Sequence, residues 1–136
     1  MLKRYLPGSA LAAMAVGMIL IGNAAASELA PQSSDEHGVK VTVTPPGFSS
    51  SAKALDFEVS LETHTQNLGD DLSKSAVLIA DGAKYLPLSW EGTAPGGHHR
   101  KGVLRFKAIV PPPRSVELQI LLSGDTSPRS FTWRLK

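Results

Sequence analysis

The sequence predicts an all-β fold: an immunoglobulin-like antiparallel β-sandwich of about seven strands, preceded by a signal peptide. Three observations predict it. Apolar and polar residues alternate with period two in run after run, turn-forming residues separate the runs at short intervals, and no helical periodicity longer than a single turn appears beyond residue 26.

The chain opens "MLKRYLPGSALAAMAVGMILIGNAAASELA", with Lys3 and Arg4 as a basic start, Ala10 to Ile21 as an apolar stretch and Ala24, Ala25 and Ala26 as small residues at a cleavage point. Gly17, Gly22 and Asn23 dilute the apolar run, which falls short of the roughly 20 residues that a membrane span needs. Residues 1–26 are therefore expected to be removed on export, leaving no stable membrane span and a chain of 110 residues out of 136. Residues 27–38, "SELAPQSSDEHG", are polar and without periodicity, and are expected to be a flexible spacer. The sandwich domain follows over residues 39–136.

Val39, Val41 and Val43 alternate with Lys40, Thr42 and Thr44 up to Pro45-Pro46, and Leu55, Phe57, Val59 and Leu61 alternate with Asp56, Glu58, Ser60 and Glu62. Further strands are expected at 75–81, 84–90, 102–108, 115–122 and 130–135, with turns at Asp81-Gly82, Pro95-Gly96-Gly97, Pro111-Pro112-Pro113 and Gly124-Asp125. One helical turn, capped by Asp70 or Asp71, fits within 67–76. Pro87 lies inside a strand pattern and marks an edge strand or a bulge. Trp90 and Trp133 each end an alternating run, where a large aromatic closes one end of a sandwich core or stands as a platform for sugar or peptide.

Composition removes several functions. Without Lys3 and Arg4, the twelve remaining cations equal the twelve acids, so the basic balance of the whole chain is no argument for nucleic-acid binding. The chain has no cysteine, which in an exported protein excludes disulfides, a lipid-modified cysteine anchor and thiolate metal centres. Met1, Met14 and Met18 all precede residue 26, so the rest of the chain carries no sulfur and cannot build a copper(I) or blue-copper site. A domain of this size buries enough surface to fold without a metal.

The stretch "TAPGGHHRKG" (93–102) holds the densest candidate chemistry. Gly96 and Gly97 allow a sharp bend before His98, His99 and Arg100. His64 falls just past the strand that ends near Leu61, at the rim where loops gather. If His64, His98 and His99 met there with Glu62, Asp70 or Glu91, the site would suit zinc or copper(II). Against this stand the absence of a spaced histidine motif, the repulsion from Arg100 and Lys101, and the ordinary uses of imidazole in hydrogen bonds and on surfaces.

The stretches "LDFEVSLETHTQNL", "AVLIADGAKYLPLSWEGTAPGGHHRKGVLRF" and "SFTWRL" together resemble a family of small exported bacterial and archaeal domains. Its pattern runs Leu-(Asp/Glu)-Thr-His-(Ser/Thr), then Trp-x-Gly-x-x-Pro-Gly-Gly-His-His-Arg-x-Gly-Val-Leu. The resemblance covers about Leu55 to Leu135 and implies a β-sandwich; it implies no catalytic or ligand roles.

No enzyme is expected: Ser49, Ser50 and Ser51 lack a nucleophile-elbow context, and the carboxylates at 56, 58 and 62 read as a solvated strand face. Two functions remain. One is a periplasmic or secreted binding module that uses His64, His98 and His99, with Trp90, Gly96, Gly97 and Arg100 around them and zinc or copper(II) as its sharper form. The other is a structural domain that docks another envelope protein with no metal, with Arg100 anchoring a partner carboxylate.

Overall fold

Period-two alternation sends one face of each strand inward, and two such sheets bury their apolar faces against each other. The computed structural model describes residues 29–135, so the expected signal peptide and its cleavage after Ala26 lie outside the described residues. Among the described residues nine strands form: β1 Gln32–Glu36, β2 Val39–Thr44, β3 Ala54–Thr63, β4 Ala76–Ala80, β5 Ala83–Tyr85, β6 Ser89–Gly92, β7 His99–Lys107, β8 Ser115–Ile120 and β9 Arg129–Arg134, with the short helix α1 Leu72–Ser75 between β3 and β4. All pair antiparallel, in a five-stranded sheet of order β1-β2-β3-β7-β6 and a four-stranded sheet of order β5-β4-β8-β9.

This order is that of an immunoglobulin-like sandwich. Strands β2, β3, β7 and β6 take the places of A, B, E and D, and β5, β4, β8 and β9 those of C′, C, F and G. The core joins Val41, Val43, Phe57, Val59 and Leu61 of one sheet to Leu78, Val116, Leu118, Ile120, Phe131 and Trp133 of the other, all at most 1% exposed. Phe57 lies at its centre, edge-on to Phe106 and 6.0 Å from the Trp133 ring.

Three sequence expectations change. The expected spacer at 27–38 instead supplies β1, which pairs with β2 from Gln32↔Val43 to Glu36↔Val39. It has no apolar side chain and is held by main-chain bonding, which periodicity does not report. The run 84–90 is two strands, not one: β5 belongs to the four-stranded sheet and β6 to the five-stranded sheet, and the chain crosses between them at Pro87. Both are edge strands, as a proline there requires. Finally, β7 starts at His99 rather than Gly102, so His99 and Arg100 stand on a strand. The expected helical turn is present, with the Asp71 carboxylate accepting from the Ser73 N–H.

Candidate functional site

The loops 64–71, 93–98 and 121–128 and the turn at 37–38 gather at one end of the sandwich, beyond the end of β3 and the starts of β2, β7 and β9. Two buried arginines organise this end. In β7, Leu104 and Phe106 point inward, and the same parity turns Arg100 inward opposite Leu61. Arg100 is 2% exposed. Its Nη1 donates to the carbonyls of Leu68 (3.2 Å) and Asp70 (2.6 Å), and its Nε and Nη2 donate to Thr93 O (3.4 and 3.3 Å). The guanidinium also lies 5.6 Å from the Trp90 ring centroid, within cation–π range. Burial lowers its pKa from the ordinary arginine value, and the nearby charges of Asp70 and Asp71 partly oppose that.

Arg100 thus does not present a charge to a partner, contrary to the expected role as a carboxylate anchor. Its donors are spent on loop carbonyls inside the fold. Gly96 and Gly97, with φ of 118° and 75°, bend the chain so that Gly96 N–H donates to Leu68 O, Leu68 N–H to Gly97 O, and Gly97 N–H to Asn67 Oδ1. Trp90 packs half-buried against the core, and its Nε1 donates to Thr93 O at 2.9 Å. The glycines and the tryptophan therefore build the loop.

From Asp70 the network continues across the end of the sandwich. Its carboxylate accepts from the Ser123 N–H and hydroxyl. Two residues on, Asp125 holds Arg129 through Nε (3.0 Å) and Nη2 (3.2 Å), both side chains being at most 3% exposed. Burial pushes the Asp125 pKa up, but the Arg129 hydrogen bonds, the Leu122 N–H and the Arg129 charge outweigh it and hold the carboxyl below its ordinary value. Arg129 then donates to the carbonyls of Ser34, Glu36 and Val39. Neither arginine was singled out as a core residue by composition; strand parity with Leu104/Phe106 and with Phe131/Trp133 is the signal that places both inside.

The histidines follow from the ends of β3 and β7. His98 lends its carbonyl to the Thr63 N–H, His99 opens β7 opposite Glu62, and His64 follows β3; all three are exposed. Among the described residues, no group of three or more His, Cys, Asp or Glu side chains stands together to hold a metal ion. What the register does assemble is a row on the solvent face of the five-stranded sheet: Asp35 opposite Lys40, Lys40 opposite Glu62, and Glu62 opposite His99. Two adjoining concavities of about 290 and 240 Å³ share Glu62; the first is lined also by Asp35, Lys40 and His64, the second by Ser60, Thr93, His99 and Lys101.

The ion pairs among the described residues join Arg105 to Asp56 and Glu91, and Arg129 to Asp125. The side chains of Asp35, Lys40, Glu62, His64, His99 and Lys101 take part in none of them. Ser49 and Ser51 share a hydroxyl–hydroxyl bond of 2.7 Å in an exposed turn, with no imidazole partner among the described residues.

No family model and no curated protein matches the chain. Among solved structures, it is similar to MPT63, a secreted protein from Mycobacterium tuberculosis, with a TM-score of 0.43 and 14% identity over 78% of this chain and 92% of that one.

Proposed function

We propose that the chain is an exported β-sandwich binding module that docks an envelope protein on the solvent face of its five-stranded sheet, at the loop end. One observation carries the reading: six ionisable side chains, Asp35, Lys40, Glu62, His64, His99 and Lys101, line two joined concavities without being used by the fold. Several other charged groups are held in the fold, Arg100 and Arg129 by loop and strand carbonyls and Asp56 by Arg105. Asp56 is held below its ordinary pKa by hydrogen bonding to Arg105, and Glu117 by hydrogen bonds from Ser130 and Gln119.

Alternating charge along the row Asp35, Lys40 and Glu62, with the His99 imidazole beside it, favours a partner segment with the complementary alternation, which gives register and specificity more than raw affinity. Beneath that row the arginine network fixes the strand ends, so the surface is pre-organised and little ordering cost falls on binding. The basic start, apolar stretch and small residues over 1–26 support export. The test is a photo-reactive residue at position 62 of the exported chain in its native cells, with one at Thr132 on the opposite sheet as comparison. A discrete protein adduct from position 62 alone is expected; no adduct, or equal adducts from both positions, overturns the reading.

A further inference from the structure

We infer that β1 is an exchangeable strand through which two copies of this chain associate, each lending its β1 to the β2 edge of the other. This inference is independent of the docking partner proposed above. Three observations carry it.

First, the sequence of β1, Gln-Ser-Ser-Asp-Glu, buries no apolar side chain, so the hydrophobic effect does not hold it in place. It is held by its ladder to β2, by Gln32 Nε2 donating to Thr132 O at 2.7 Å, and by Arg129 donating to Ser34 O and Glu36 O at 3.1 and 2.8 Å. An edge strand of this kind opens at lower free energy than strands that contribute to the core.

Second, its receptor stands without it. The Arg129 guanidinium is fixed by Asp125 and by Val39 O, neither of which belongs to β1, and β2 is anchored to β3 along its whole length. The receptor meets the β1 backbone and two of its side chains, Gln32 at Thr132 O and Ser33 Oγ at Thr42 Oγ1, 2.9 Å apart. The β1 of a second copy satisfies all of these identically.

Third, the hinge is a two-residue turn, His37-Gly38, with φ of 51° and 79°. Such a turn suits a hairpin, but a side-chain-bearing residue at positive φ gains freedom on release into extended backbone, and a two-residue hinge leaves β1 directly next to the strand it would continue. Opening the hinge joins β1 and β2 into one continuous strand, and two such strands pair antiparallel about a two-fold axis at the hinge. Bonds from Gln66 Nε2 to His37 O and from Thr63 Oγ1 to Gly38 O hold the closed turn, so the closed monomer is the major form and the hinge is where the balance is tipped. In the exchanged dimer, Asp35 of each binding surface comes from the second copy.

The chain has no cysteine, so a tagged Ser33→Cys copy and an untagged Thr42→Cys copy report the exchange directly. Mixed, incubated and mildly oxidised, they are expected to give a disulfide-linked heterodimer, distinguishable by mass from either homodimer, whose fraction rises with concentration. Gly38→Val, which is strained at φ 79° and brings its Cβ within 2.8 Å of Gln66 Nε2, is expected to raise that fraction at least tenfold. A Ser33→Cys/Thr42→Cys copy that forms only the intrachain disulfide at every concentration, together with no heterodimer in the mixture, overturns the inference whether or not the Gly38 variant folds.

Discussion

Replacing Arg100 with methionine keeps much of the volume and removes the cation and all its donors. Three carbonyls are affected unequally. Leu68 O keeps the Gly96 N–H and Thr93 O keeps Trp90 Nε1, but Asp70 O has no other donor among the described residues. One orphaned buried acceptor costs about 1–3 kcal/mol, and losing a desolvated cation–π contact costs about 1–2 kcal/mol. Relief from burying a cation offsets part of this, leaving a net loss of about 2–4 kcal/mol. Urea unfolding followed by the fluorescence of Trp90 and Trp133 reads the change; with a slope of about 1–3 kcal/mol/M, the midpoint falls by on the order of 1–3 M. Arg100→Lys restores the charge but not the forked geometry, and should recover little. Arg105→Met, which breaks the exposed pairs to Asp56 and Glu91, should move the midpoint far less. A midpoint for Arg100→Met as close to wild type as that of Arg105→Met would refute the claim that the guanidinium holds this end of the sandwich together.

Three further outcomes follow from the same geometry. The Asp125 carboxyl is held below its unfolded value of about 3.9, so its stabilisation is present above that pH and is lost as pH falls through the folded value; Asp125→Asn should lower stability by about 3 kcal/mol at neutral pH and flatten the acid limb of a stability–pH profile. Gly102→Ala places a Cβ 2.5 Å from Glu91 O, 2.6 Å from Gly92 Cα and 2.9 Å from the Trp90 ring, two of them backbone atoms, so β6 must shift and unfolding should come about 1–3 kcal/mol sooner in denaturant titration. Chelator should leave the chain folded, because a core of this size closes without a metal; calorimetric zinc and copper(II) titration of the wild type against the His64→Ala/His98→Ala/His99→Ala variant tests the metal proposal, a tight site lost in the variant supporting it and equal heats removing it.

Much of the fold was legible because core burial writes itself into alternation: β2, β3, β4, β8 and β9 each place a buried residue at every second position. β1 was not legible because Ser33, Ser34 and Asp35 meet β2 through main-chain bonds and Arg129, and no apolar pattern marks that kind of attachment. Pro87 signalled an edge, but not that the chain changes sheets there, since a proline only withholds a donor and says nothing of where the next partner lies. At the loop end, the dense motif "GGHHR" drew the reading toward ligands. Its glycines and arginine instead serve the loop, because an arginine at inward strand parity can bury its stem and spend its fork on carbonyls. His64, His99 and Glu62 were identified from sequence, but as parts of a metal set. Glu62 and His99 stand in a cross-strand row with Lys40 and Asp35, and His64 lines the concavity beside it; that row needs strand register, and register is not written locally in the chain.

The central claim is that the charge row on the five-stranded sheet is a recognition surface. Its most direct test is the yield of partner adduct from a photo-reactive residue at Ser60, measured in the wild-type chain and in the Lys40→Glu/Glu62→Lys exchange. That exchange keeps the 40–62 cross-strand pair and the net charge but breaks the alternation by setting a second carboxylate opposite Asp35, which costs up to about 1 kcal/mol. The account predicts a fall in adduct yield of at least tenfold under conditions where both chains are fully folded; an unchanged yield would contradict it.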